Sequence, residues 1–230
     1  MVNELKIIAI IQCRMTSSRL PAKAMLDLGG KTLLERVIEC TKKSKFLDEI
    51  WVATSNDKFD DLIEWKSIQA GCNVFRGDLD DALNRYAQCA IKAHADIIVR
   101  VTADNPLTSP HLIDFAVKYI VANKCDYVSF NDIPYGAGVE AFRMSALLYA
   151  NKKCKSIHER EHVTTFITNN ANFFKIKLVD CPIENIRRPG IRVTIDTLDD
   201  YKVMAKYFGI INDCNYNLAD FIKLFDEKRL

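Results

Sequence analysis

The 230-residue sequence predicts an α/β protein built on a mostly parallel sheet with helices on both faces. Three observations predict it. Short apolar runs alternate with amphipathic segments through the first half of the chain. The runs are apolar almost throughout, as strands covered on both faces are, rather than at every second position. Charged and small residues gather where the runs end, and open α/β sheets bind ligands beyond the carboxyl ends of their strands. Together these describe a Rossmann-like arrangement.

The strands expected in the first half are "LKIIAIIQ" (5–12), "EIWVATS" (49–55), "NVFRG" (73–77), "DIIVRV" (96–101) and "DYVSF" (126–130). Between them "KTLLERVIECTKKSK", "KFDDLIEWKSIQA", "LDDALNRYAQCAIKAH" and "SPHLIDFAVKYIVANK" have apolar residues at helical spacing. In the third, Leu79, Ala82, Leu83, Tyr86, Ala87, Ala90 and Ile91 form one stripe, with Asp80 and Asp81 in the first turn, where they favour the helix dipole. The second half is less regular. "PYGAGVEAF" reads as loop then strand, "MSALLYANKKC" and "IHEREHVTTFITNN" as helices, "FFKIKLVD" and "IRVTID" as strands, and "TLDDYKVMAKYFGII" and "NLADFIKLFDEKR" as closing helices.

With 49% hydrophobic and 27% charged residues, residues 1–230 read as a single globular domain. A net charge of +2 is no basic field for nucleic acid or a membrane surface. No apolar run approaches the ~20 residues of a membrane span. The start, "MVNELKIIAI", has no cleavable signal pattern. The 8 cysteines (13, 40, 72, 89, 125, 154, 181 and 214) include no C-x-x-C and read as reduced, mostly buried thiols. A cytoplasmic location is the expectation.

His158-Glu159-Arg160-Glu161-His162 is literally H-E-x-x-H, the pattern in which two histidines on one helix face bind zinc. A catalytic zinc needs a third protein ligand, and no histidine follows His162, while the next segments read as strands. The reading is a charged helix face.

The loop after the first strand, "CRMTSSRLPAK", holds Arg14, Arg19 and Lys23 around Thr16, Ser17 and Ser18. Fixed cations among short hydroxyl residues suit a nucleoside triphosphate, although the loop is not a Walker A sequence. A solvated basic loop with a capping serine is the alternative. Asp104 in "VTADNPL" and Asp196 in "RVTIDTLDD" each end an expected strand. Asp196 or Thr197 reads equally as a helix cap. Two carboxylates in one crevice would instead hold Mg²⁺, which prefers a few carboxylates with phosphate oxygens and water.

Taken together, "IIQCRMTSSRLPAKAMLDLGGKTLLERVIE", "VFRGDLDDALNRY", "IVRVTADNPLTSP", "GVEAF", "EREHVTTFI" and "VTIDTLDDY" resemble, in order, the CTP-dependent sugar cytidylyltransferases, including the CMP-sialic acid and CMP-Kdo synthetases. The pattern is most similar to the SpsF-like group of surface-polysaccharide proteins and spans about residues 6 to 203. The resemblance implies that Arg14 and Lys23 hold the triphosphate and departing pyrophosphate, with Cys13, Ser17, Ser18 and Arg19 shaping the loop. It implies Mg²⁺ on Asp104 and Asp196, with Asp104 counted as catalytic. Gly77, Asp80 and Asp81 would lie around the nucleotide, and Glu140, Glu161 and His162 nearer the acceptor. Residues 131–170 look like the arm through which relatives form homodimers. Departures are Ala22 and Ala103 where glycine is usual, Gly138 where aspartate is common in the SpsF-like group, and Thr194 at the first place of a D-x-D pair.

The expected reaction is in-line attack of an acceptor oxygen on the α-phosphorus of CTP, giving a CMP- or CDP-activated sugar or related product for surface polysaccharide. A glycosyltransferase using nucleotide sugars, or a catalytically silent nucleotide-binding subunit, are the alternatives.

Overall fold

The computed structural model describes residues 5–211 and 216–230, so Cys214 lies outside the described residues. Seven strands form one sheet: β1 (Ile7–Gln12), β2 (Glu49–Ser55), β3 (Asn73–Gly77), β4 (Ile97–Thr102), β5 (Tyr127–Asn131), β6 (Glu140–Arg143) and β7 (Ile176–Asp180). Their order is β3-β2-β1-β4-β6-β5-β7. All neighbours pair parallel except that β6 runs antiparallel to both β4 and β5. The chain winds one way from β1 to β3 and then crosses to β4 on the other side of β1. The crevice of this α/β sheet therefore opens between the ends of β1 and β4.

Nine α-helices among the described residues cover the two faces: α1 (Leu33–Lys42), α2 (Asp61–Gln69), α3 (Ala82–Lys92), α4 (Pro110–Asn123), α5 (Met144–Lys153), α6 (Ile157–Glu161), α7 (Thr165–Asn169), α8 (Leu198–Ile210) and α9 (Leu218–Asp226). One apolar layer joins Ile11 and Val99 of the sheet to Val37 of α1, Ile63 of α2, Ile113 of α4, Tyr207 of α8 and Phe221 of α9. The other joins Ile8, Ile10 and Ile98 to Leu83 and Tyr86 of α3, Leu147 of α5 and Ile167 of α7. Ile8, Ile10 and Ile11, like Ile97, Ile98 and Val99, are fully buried, which explains why these strands read as unbroken apolar runs.

Three expectations need correction. "IRVTID" is extended but joins no strand, making a single bridge between Tyr135 and Arg192, because its partner segment is a loop. "IHEREHVTTFITNN" is two short helices, broken at His162 (φ −103, ψ 60). Residues 131–170, expected to be an arm, supply β6 inside the sheet and α5, α6 and α7 beside it. In the third helical segment Leu79 precedes α3 and Ile91 is exposed, whereas the rest of the stripe is buried.

The seven described cysteines are buried and unpaired. No helix of the described residues is long and apolar enough to cross a membrane.

Candidate active site

The loop leaving β1 is shaped by a residue far along the sequence. Asp60 is 1% exposed, and its carboxylate accepts hydrogen bonds from the Met15 N–H (2.8 Å), the Thr54 hydroxyl (2.8 Å), and the Ser55 N–H (2.9 Å) and hydroxyl. Burial works to raise its pKa, but these donors overturn that and hold it below the ordinary aspartate value. Further on, Ala22 takes a left-handed backbone (φ 55) and starts a 3₁₀ turn over Lys23–Met25.

That turn carries Lys23 into the crevice. Its ammonium donates to Asp104 Oδ2 (3.0 Å), the Ile195 carbonyl (2.7 Å) and Asp196 Oδ1 (2.9 Å), using all three of its protons. Asp196 also meets Arg19 at 2.9 Å and Arg192 at 2.7 Å. Burial would raise its pKa, and Lys23, Arg19 and Arg192 more than offset that, keeping Asp196 ionised. Thr197 and Asp200 form the capping box of α8, which frees Asp196 from capping to face the crevice. In Asp104, Oδ1 carries no hydrogen bond among the described residues. The open oxygen of Asp104 beside a second carboxylate would suit Mg²⁺, with Lys23, Arg19 and Arg192, which now hold both oxygens of Asp196, turning to the phosphates.

Two cavities meet here. The first, about 310 Å³, is lined by Gln12, Cys13, Arg14, Thr16, Ser17, Ser18 and Lys23 with Glu161 of α6. The second, about 510 Å³, is lined by Asn105, Ser129, Tyr135, Gly138, Glu140 and Thr194. Arg19, Arg100, Thr102, Asp104, His162 and Asp196 line both. The structure thus gathers Arg14, Ser17, Ser18, Arg19, Lys23, Asp104, Asp196, Glu161 and His162, contributed by distant segments, into one crevice. Arg14 pairs with Glu161 at 3.2 Å. Cys13 contributes wall only, since burial pushes its thiol pKa up and keeps it neutral, with Asp60 and Asp104 adding to the effect.

Gly77, Asp80 and Asp81 line neither cavity. Asp81 caps α3 through the Asn84 N–H and binds Arg160 at 2.6 Å. A Cβ at Gly77 would meet Arg85 and Phe75 at 3.1 Å. Buried Arg85 donates to the carbonyls of Asp78 and Leu79, so this loop is anchored to α3. Glu140 lines the second cavity, but its carboxylate is already occupied. Arg100 donates to Oε2 (2.6 Å), while the Tyr127 hydroxyl (2.6 Å) and Thr164 hydroxyl (3.0 Å) donate to Oε1. Burial alone would raise its pKa; Arg100 first, then Tyr127 and Thr164, bring it below the usual glutamate value.

The H-E-x-x-H residues do not share one helix face. His162 lies past the last residue of α6 and meets His158 edge to face, with ring centroids 4.6 Å apart. Glu159 is held by the Asn169 side chain at 3.0 Å.

Sequence reasoning missed Asp60, Arg100 and Arg192. A signal existed for Arg100, a lone charge inside the apolar strand "DIIVRV", matched by the lone Glu140 in "GVEAF". The two face each other directly across the β4–β6 ladder.

A mostly parallel sheet whose first loop brings cations to one carboxylate just past β4 and another on the extended approach to α8, at the switch point, fits a nucleotide-handling transferase. Residues 8–228 match the family described as Cytidylyltransferase, and the chain belongs to that family: it is a nucleotidyltransferase whose general chemistry is nucleotidyl transfer from CTP. It is 44% identical over 221 residues to an uncharacterized protein of Methanocaldococcus jannaschii, covering 95% of this chain and 90% of that one. With the spore coat polysaccharide biosynthesis protein SpsF of Bacillus subtilis it shares 32% identity over 201 residues, 85% of this chain and 83% of SpsF. The solved structure of a cytidylyltransferase from Leptospira borgpetersenii superposes with a TM-score of 0.91 at 30% identity, covering 98% of this chain and 95% of that one.

Proposed function

We propose that this enzyme transfers the cytidylyl group of CTP to an oxygen of a sugar or related acceptor, releasing pyrophosphate, for surface-polysaccharide synthesis. The observation that supports it most is Lys23 standing between Asp104 and Asp196 beneath the cationic loop. The similarity to SpsF, named for spore coat polysaccharide biosynthesis, supports the pathway assignment.

In this reading the triphosphate lies in the first cavity, along Arg14, Ser17, Ser18 and Arg19, and the acceptor enters from the second. The acceptor oxygen forms a bond to the α-phosphorus as the bond from that phosphorus to the bridging oxygen breaks. The electron pair leaves with pyrophosphate, whose charge Arg14 and Lys23 receive. Asp104 and Asp196 would hold Mg²⁺, which supplies charge neutralisation at the phosphates. A hydroxyl acceptor must also lose its proton. His162, lining both cavities, is placed to take it, whereas Glu140 is committed to three donors. The active form is a two-fold homodimer in the cytoplasm.

The test is pyrophosphate release with Mg²⁺ from CTP, ATP, GTP and UTP across sugar acids, sugar phosphates, phosphonates and neutral sugars. CTP-dependent release with one acceptor class, lowered about 1000-fold or more by Asp104→Ala, is the expected outcome. Release that ignores the identity of the base, or survives Asp104→Ala, contradicts the proposal. Sedimentation of the same preparation checks the dimer.

A further inference from the structure

Arg100 is the cation for which neither the loop chemistry nor the metal accounts. It stands in β4, two residues before the strand end, and lines both cavities. Whatever reacts must do so where the cavities join, because the α-phosphorus comes from one side and the nucleophile from the other. Two of the residues shared by both cavities are arginines, and they differ in how firmly they are held. The Arg19 side chain is 63% exposed and reaches Asp196 from a loop. The Arg100 side chain is 22% exposed and sits on a central strand.

Its orientation is set by a built scaffold. Nη1 donates to Glu140, which lies directly opposite on β6, and Glu140 is itself fixed by Tyr127 of β5 and Thr164 beside α7. Burial opposes the charge of Arg100, and the facing carboxylate outweighs that, so the guanidinium stays a cation. Nε is buried without a partner, and Nη2 makes no hydrogen bond among the described residues. The guanidinium is thus braced from behind through Nη1, which leaves Nη2 at the junction without a protein partner among the described residues.

We propose that Arg100 is a further catalytic residue, the fixed cation that meets the α-phosphoryl group during transfer, and that Glu140 is its positioning residue rather than a contact to the acceptor. This rests on the cytidylyl-transfer reading above. A donor immobilised before the reaction gives its stabilisation without reorganisation as charge moves from the nucleophile through phosphorus to the leaving oxygen. Arg14 and Lys23 serve the leaving pyrophosphate, whereas Arg100 serves the group that is transferred.

The test is ³¹P NMR of CTP bound with Mg²⁺ to the full chain, comparing wild type with Arg100→Ala, Arg100→Lys and Glu140→Gln. In Arg100→Ala the α-phosphorus resonance moves while β and γ stay, CTP affinity changes less than about 5-fold, and added guanidinium chloride returns the α resonance. Glu140→Gln moves the same resonance part of the way. With an acceptor that supports turnover, kcat falls about 100-fold for Arg100→Ala with little change in the acceptor KM. An unmoved α resonance overturns the assignment, as does an acceptor KM that rises while kcat holds, which places Arg100 on the acceptor. If Arg100→Ala does not fold, Arg100→Lys and Glu140→Gln give the same comparison. A wild type that shows no bound CTP resonances overturns the cytidylyl reading itself, and is distinguished by that.

Discussion

Asp60 lines neither cavity of the crevice, yet it ties the backbone of Met15 to the end of β2 and so shapes the loop that carries Arg14. Removing its carboxylate leaves buried donors from Met15, Thr54 and Ser55 without an acceptor. Asp60→Ala should therefore cost about 3 kcal/mol in urea unfolding and weaken CTP binding, although no contact to the nucleotide is lost. A surface-like change below about 0.5 kcal/mol would remove Asp60 from this role. Asp200 gives a pH-dependent counterpart. Burial works to raise its pKa, but Arg192 and the N–H and hydroxyl groups of Asp196 and Thr197 bring it to about 2. A depressed carboxylate stabilises the fold fully above its unfolded value near 3.9, and this is lost as pH falls through the folded value. Thermal unfolding should show wild type more stable than Asp200→Asn at pH 6, with the gap closing between about pH 4 and 2. A gap that persists at pH 2 contradicts the assignment.

At the scale of elements, the connection from β5 to β6 decides the shape of the second cavity. Gly136 has φ +94, and a Cβ there would lie 2.6 Å from the Cβ of Thr194 and 2.7 Å from its backbone nitrogen. The loop thus packs against the extended segment leading to Asp196, where Tyr135 bridges Arg192. Gly136→Ala combines a left-handed backbone with a clash, and should destabilise by about 3 kcal/mol. In the folded fraction the acceptor KM should rise more than the KM for CTP, because only the second cavity is lined by Gly136 and Thr194. Equal changes in both constants would show that the loop shapes the whole crevice.

For the whole molecule, one sheet separates two apolar layers, and the candidate crevice lies at the carboxyl ends of β1 and β4. There, cations from β4 and the loop after β1 meet carboxylates from β6, the turn after β4 and the approach to α8. Phe142 is fully buried in the second layer, on the strand that carries Glu140. Phe142→Ala should cost about 4 kcal/mol in urea unfolding, as a cavity in a close-packed layer does. A loss under about 1 kcal/mol would mean that the layer closes over the missing ring.

The order of strands and helices was legible because burial on both faces leaves unbroken apolar runs such as "IIAII", and helices leave a 3.6-residue stripe, both local signals. The cationic loop and Asp104 were legible too, since sheet topology places the ends of β1 and β4 together; Asp196, read as a strand end, reaches the same crevice from an extended segment outside the sheet. What the sequence by itself determined was therefore most of the sheet, its covering helices and the end where the candidate site gathers. Only the tertiary structure decided that Asp60 pins the loop, that Lys23 spans two carboxylates, that residues 140–143 enter the sheet antiparallel, and that Glu140 is spent on Arg100. The side-chain meetings among these span 40 to 173 residues of chain, from Arg100–Glu140 to Lys23–Asp196, and no local periodicity records such a meeting.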